Sequence, residues 1–186
     1  MEINDLKNSL AHYQIDDSFI DDQMGLCCCR LALESLENGC YGVGAVLYDT
    51  STKLVIEAHN EVFLEGFHSG RHAEMVALNR FEDEHSDYGD RSNLTMIVSL
   101  EPCPMCFTRL LLAGIGQIKY LVADDSGGMV TRLVQMPPVW QNLAQIQQHQ
   151  RASVSPTLST LAAELAACQL QQLRTKLMMR IRGKDV

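Results

Sequence analysis

Apolar and polar positions along the chain alternate between strand-like and helix-like patterns. The first ten residues carry Glu2 and Asp5 and no apolar run. Asp16-Asp17-Ser18 offers caps for a helix with Phe19, Met24, Cys27, Leu31 and the 33–36 region on its apolar side, which Asn38-Gly39 ends. Val43 to Tyr48 and Leu54 to Ala58 read as two strands joined by a polar turn. Glu61 to Arg71 reads as a loop, and His72 to Phe81 as a helix with an acidic exit through Asn93. Leu94 to Ser99 is the next strand. Pro102 to Ala113 follows as a helix, since proline fits a first turn and Gly114 can end the last one. Gln117 to Ala123 is a further strand, closed by the turn cluster Asp124 to Gly128. Beyond it the pattern predicts a loop through Pro137-Pro138, a helix over Val139 to Gln148, a short strand near Arg151 to Val154, and one long helix from Pro156 to Arg182. This order predicts a parallel sheet with helices on both faces.

Composition narrows the class. The 186 residues suit one domain, 1–186, with a core at about 17–125 and a mainly helical extension at 126–186. Hydrophobic residues make up 46% and charged residues 20%, so a buried core is available without disulfides. The start lacks the pattern of a secretory signal, and no stretch reaches the roughly 18 apolar residues of a membrane span. The expectation is a cytoplasmic protein, with no membrane partner. Its seven cysteines would then be free or metal-bound, and the adjacent Cys27-Cys28-Cys29 point in different directions and cannot share one ion.

The formal net charge of −8 argues against the broad basic footprint of a nucleic-acid binder. The charge is uneven. Residues 1–101 hold 6 Lys/Arg against 19 Asp/Glu, and residues 102–186 hold 9 against 4. Arg174, Lys176, Arg180, Arg182 and Lys184 crowd the end, where the simpler reading is a helix C-terminus whose dipole favours cations; the alternative is a phosphate-binding tail.

Two short motifs carry the chemistry. His72-Ala73-Glu74 opens one helix, and Pro102-Cys103-Pro104-Met105-Cys106 opens another just after a strand. Alone, each is ambiguous: His-x-Glu is common, and Cys-x-x-Cys also serves redox pairs and zinc ribbons. Together, His72, Cys103 and Cys106 supply one imidazole and two thiolates, three good ligands for Zn²⁺, which leave a fourth tetrahedral position open for catalysis. Glu74 is then free to take and return protons. Positions i and i+2 lie about 200° apart on a regular helix, so His72 must be presented from the helix's first position or the turn before it.

With these motifs in place, the chain resembles the cytidine deaminase-like superfamily of zinc deaminases. Gly42-Val43-Gly44-Ala45-Val46 resembles that family's first strand, His59-Asn60 its base-contacting asparagine, and Leu100-Glu101-Pro102-Cys103-Pro104-Met105-Cys106 its metal helix. The likeness runs over roughly residues 17–125 and is nearest the branch of guanine deaminases and tRNA adenosine deaminases. It implies an α/β fold, a three-layer α/β/α sandwich with a mixed sheet, and a homodimer. It also implies that Asn60 grips a ring carbonyl or nitrogen and that the Ala45 backbone lies beneath the ring. The approach His68-Ser69-Gly70-Arg71 and the region after Gly128 depart from the family, which bears on substrate rather than metal chemistry.

The activity expected is hydrolytic deamination of a free nucleobase or nucleoside, a purine such as guanine first, with release of ammonia. A tRNA adenosine-to-inosine deaminase and a catalytically silent zinc-binding protein are the alternatives. Asp124 and Asp125 lie past a strand's carboxyl end, where ligands bind in open α/β sheets, though a solvated turn is the simpler use. His68 and Trp140 are further candidates, for supporting a ligand and for stacking on the ring, against a surface loop and helix packing.

Overall fold

Five strands build one mixed sheet in the computed structural model, which describes residues 2–183. Met1 and residues 184–186, with Lys184 of the basic end, lie outside the described residues. The elements are α1 (Ile3–His12), α2 (Asp22–Glu37), β1 (Gly44–Asp49), β2 (Leu54–His59), α3 (Ala73–Glu84), β3 (Thr95–Leu100), α4 (Pro104–Ala113), β4 (Gln117–Val122), α5 (Pro138–Ala144), β5 (Gln148–Arg151), α6 (Pro156–Ala167) and α7 (Leu170–Ile181). The sheet order is β2-β1-β3-β4-β5.

The all-parallel sheet suggested by element order is corrected, and the mixed sheet implied by the resemblance is what forms. β1 pairs antiparallel with both β2 and β3, while β3, β4 and β5 run parallel. The short polar turn 50–53 folds β2 straight back on β1 as a hairpin, which forces that pair to be antiparallel. β2, β3 and β4 therefore point the same way and β1 the opposite way. Their ends bring Asn60, Cys103, Asp124 and Val43 to a single edge of the sheet.

Alternating side chains feed two layers. Ala45, Leu47, Met96, Val98 and Ile118 face a core closed by α3, α4 and α5. Val46, Ile97 and Leu121 face the opposite core, closed by α1, α2 and α6. The result is a three-layer α/β/α sandwich. α7 stands apart from both layers and packs Leu173 and Leu177 on the segment that carries Cys40, Tyr41, Val62 and Phe63. No helix among the described residues is long and apolar enough to cross a membrane.

Four expectations fail locally. α1 was not predicted, because only Leu6 and Leu10 of its ten residues are buried and so no apolar run marks it. α2 starts at Asp22 rather than at Asp16-Asp17-Ser18. Asp16 turns its carboxylate onto the Ser18 N–H at 3.0 Å, and Asp22 is buried as a hub that accepts from the Asp16 N–H, the Ser155 N–H and the Tyr13 hydroxyl. The helix expected over Val139 to Gln148 ends at Ala144. From Gln148 the chain joins the sheet as β5, three residues earlier than the expected strand. The long final helix is two helices, broken where Gln169 adopts φ 55.

Candidate active site

Two helix N-termini meet at the carboxyl edge of the sheet. His72 is the N-cap of α3, with extended backbone (φ −70, ψ 155), and Cys103 is the N-cap of α4 (φ −70, ψ 170). That conformation resolves the i, i+2 difficulty. His72 turns its ring off the helix axis while Glu74 sits inside the first turn. Cys106, also in the first turn of α4, is fully buried. The donor atoms of His72, Cys103 and Cys106 lie within 4.8 Å of one another, and His72 Nδ1 is 3.6 Å from Cys103 Sγ. Two donors bonded to one tetrahedral zinc at about 2.0–2.3 Å would stand roughly 3.5 Å apart, so these side chains fit the ion.

The electrostatics favour the same use. A hydrogen bond from Cys106, aided by His72, holds the Cys103 thiol down at about 4 against the opposing effect of burial. The same bond to Cys103, and then burial, push the Cys106 thiol up, so that Cys103 is the poised thiolate and zinc binding would release the Cys106 proton. The bond to Cys103 raises His72. Both cysteines stand at the positive end of the α4 dipole, which lowers the cost of thiolates. Glu74 is 3% exposed, and burial raises its carboxyl to about 6 despite the nearby His72. A carboxyl with a pKa close to operating pH is suited to both taking and giving a proton.

A cavity of about 270 Å³ opens beside this cluster. Val43, Asn60, His72, Glu74, Cys103 and Asp124 form its floor and walls. Asn60 is 2% exposed, and its Oδ1 accepts from the Val62 N–H at 3.1 Å. That bond fixes the amide orientation and leaves its nitrogen, unbonded among the described residues, for a ligand. Ala45 lies deeper in β1, fully buried between Ala58 and Val98 and outside the cavity lining; Val43 takes the wall at that end. His68 and Trp140 also lie outside the lining. Trp140 packs against the α3–α4–α5 core, and His68 stays in its loop, donating its N–H to the Val62 carbonyl.

Glu101, two residues before Cys103, is a buried anchor. It accepts from the Asp124 N–H at 3.0 Å, the Thr131 N–H at 2.7 Å and the Thr131 hydroxyl at 2.9 Å. These bonds tie the 124–131 loop to the segment that leads into α4. A Cβ at Gly128 would fall 2.3 Å from the Glu101 carboxylate carbon, so the loop closes only with glycine there. Asp124 lines the cavity and accepts from Ser126 and Gly127 within its own turn, whereas Asp125 is exposed.

The fourth side of the cavity was not foreseen. Ala166 of α6 and Leu170, Arg174 and Leu177 of α7 cover it, with Tyr41 beside them. Arg174 is thus not simply a cation dressing a helix end. It stands in the second turn of α7, and Lys176 lies over the Phe63 ring at 4.3 Å. The only sequence signal was the basic cluster itself. Where α7 turns depends on the break at Gln169, which no glycine or proline marks.

A three-layer α/β/α sandwich with a His–Cys–Cys cluster and a buried carboxylate at the sheet's carboxyl edge defines the zinc-dependent deaminase class. The chain belongs to the family described as the cytidine and deoxycytidylate deaminase zinc-binding region, whose model matches residues 20–122. It is therefore a hydrolase acting on C–N bonds, with zinc as its cofactor. A tRNA-specific adenosine deaminase of Bacillus subtilis (strain 168) is 28% identical over 147 residues, 78% of this chain and 85% of that protein. Two further curated relatives are matched over only 16% and 60% of their own length. Among solved structures, one from a study of tRNA:A34 deaminases superposes with a TM-score of 0.61 at 20% identity, covering 81% of this chain and 99% of that one. A guanine deaminase from Nitrosomonas europaea superposes with a TM-score of 0.57 at 21% identity, covering 76% and 81%. At these identities the structural likeness speaks for the fold.

Proposed function

We propose that the chain hydrolytically deaminates a small-molecule nucleobase or nucleoside, with a purine ring, guanine first, as the substrate to test. In this reading His72, Cys103 and Cys106 hold zinc. Bound zinc supplies the Lewis acidity that makes a water nucleophilic near neutral pH. Glu74 would take one proton from the attacking water and pass it to a ring nitrogen, then take the second from the added hydroxyl and pass it to the amine, so that ammonia leaves and a ring carbonyl remains. Asn60 donates its free amide N–H to a ring acceptor, and Val43, rather than the buried Ala45, forms the wall against the ring at that end.

The observation that carries the small-molecule reading is the cover formed by α6 and α7. A base flipped out of RNA brings flanking nucleotides that need an open path beside the pocket. Here α7 lines one side of the cavity, whose volume of about 270 Å³ lies just below the range of small-molecule sites, which begins at about 300 Å³. Glu57, Glu61 and Glu65, on the segment leading to the site, add repulsion toward a phosphate backbone. The second reading, adenosine-to-inosine deamination in tRNA, draws on the Bacillus subtilis relative, which matches over most of its own length. A homodimer is part of the proposal; the exposed apolar Leu112 on α4 and Val139 on α5, helices that touch each other, are surface such an interface would cover.

The test is ammonia release from a panel of bases, nucleosides and nucleotides, beside inosine formation in an anticodon stem-loop. The expected result is turnover of a small molecule, with a far weaker fall in rate across moderate salt than an RNA held through several phosphates would show. Inosine formation in the RNA that falls steeply with salt, while every small molecule stays inert, would instead establish the second reading.

A further inference from the structure

The charged groups around the cavity differ in one respect. Glu101 has both carboxylate oxygens engaged by Asp124 and Thr131. Burial works to raise the Asp124 carboxyl, but hydrogen bonds within its turn, with Arg174 adding to them, hold it below the usual range. Asp124 nevertheless forms no ion pair with Arg174. Among the described residues the Arg174 guanidinium has no hydrogen bond and no ion pair at all, yet it lines the same cavity as Glu74, His72 and Asn60. It is the one residue of that lining with a permanent positive charge.

Its position is built rather than incidental. Leu173, the preceding residue, is 5% exposed in the cluster with Cys40, Val62 and Phe63. The Tyr41 hydroxyl donates to the Leu173 carbonyl at 3.3 Å, and Lys176 rests on the Phe63 ring. The turn of α7 that bears Arg174 is thereby pinned on both sides over the cavity. Arg174 is exposed where it lines the cavity, so its guanidinium is open to an anion entering there, and its planar fork suits phosphate. The anion that ordinarily travels with a nucleobase is the phosphate on its sugar.

We propose that Arg174 binds a phosphate carried on the sugar of the base to be deaminated, which makes a mononucleotide the preferred substrate over the bare base or nucleoside. This inference rests on the small-molecule reading above and moves its preferred substrate from the base or nucleoside to the phosphorylated nucleoside. It assigns α7 two tasks, covering the site and selecting the charged form of the substrate.

The experiment uses the zinc-loaded full chain carrying Glu74→Gln, which holds ligand without consuming it. Binding is measured by calorimetry for the 5′-monophosphates of guanosine, adenosine, cytidine and deoxycytidine, for the matching nucleosides and bases, and for an anticodon stem-loop RNA. At least one mononucleotide is expected to bind 10-fold or more tighter than its nucleoside. Adding Arg174→Ala is expected to remove about 10- to 100-fold of that preference, the range of a charge-assisted hydrogen bond, and Arg174→Lys to restore part of it. No preference in any pair, or a preference that survives Arg174→Ala, would overturn the inference and leave the small-molecule reading standing. Tight binding of the RNA with no binding of any small molecule would overturn both.

Discussion

Glu74→Gln protein is expected to keep its full complement of zinc and to lose at least about 100-fold in turnover, the lower end of what a positioned acid–base group contributes. The substitution preserves side-chain volume in a site that is 3% exposed, so the first turn of α3 and the His72 N-cap have no steric reason to move. What it removes is a carboxyl that burial has tuned to about 6, able both to accept a proton and to return it. Metal content and ammonia release on the same sample separate these effects. A zinc-loaded Glu74→Gln protein working near the wild-type rate would place the proton shuttle on another residue.

Cys106→Ala is expected to have the larger structural effect, losing both zinc and activity. Cys106 is fully buried at the start of α4, and its removal leaves two ligands where a zinc site needs three. Ligand binding adds to folding free energy by mass action. At free zinc 1,000-fold above Kd the contribution is about 4 kcal/mol, which in a chain of this size corresponds to roughly 8–16 °C in Tm. Thermal melting with and without added zinc checks this. Wild-type Tm should rise with zinc by an amount of that order, and the Cys106→Ala Tm should not respond. Full zinc content in Cys106→Ala would remove Cys106 from the ligand set.

The parts of the site legible in the sequence are those where residue type and short spacing carry the information. Cys103 and Cys106 are three residues apart at a helix start, and His72 and Glu74 flank another, so the ligand types could be read before any contact was known. The bringing together of His72 and Cys103, 31 residues apart, is a property of the sheet: β2 and β3 run the same way, and the helices that follow begin at one edge. β1, β3 and β4 were legible because their apolar runs face two cores, and β2 because its alternating Leu54, Ile56 and Ala58 face one. β5 was misplaced because Gln148, Gln150 and Arg151 are exposed, leaving a strand with no hydrophobic signature.

The cover over the cavity was beyond local rules. Nothing at Cys168-Gln169 announces a break, since the left-handed backbone there falls on glutamine rather than glycine. Without that break α6 and α7 merge into one helix, and Arg174 counts merely as a charge near its end. Its place in the same cavity lining as Glu74 depends on Leu173 and Leu177 docking on residues 40–63, a packing fact spread over more than a hundred residues of chain. The helix-dipole rule explained the basic cluster adequately and so concealed the one member that faces the site.

The most direct test of a zinc-dependent deaminase is to follow bound zinc and ammonia release together through removal and return of the metal. The protein is stripped with a chelator, then titrated with zinc, and both quantities are measured at each step on the substrate found by the panel. Ammonia release is predicted to vanish in the stripped protein, to rise in proportion to bound zinc, and to level off at one zinc per chain. Turnover that persists after complete removal of zinc would contradict the account. So would a fully zinc-loaded protein that releases no ammonia from any base, nucleoside, nucleotide or anticodon stem-loop.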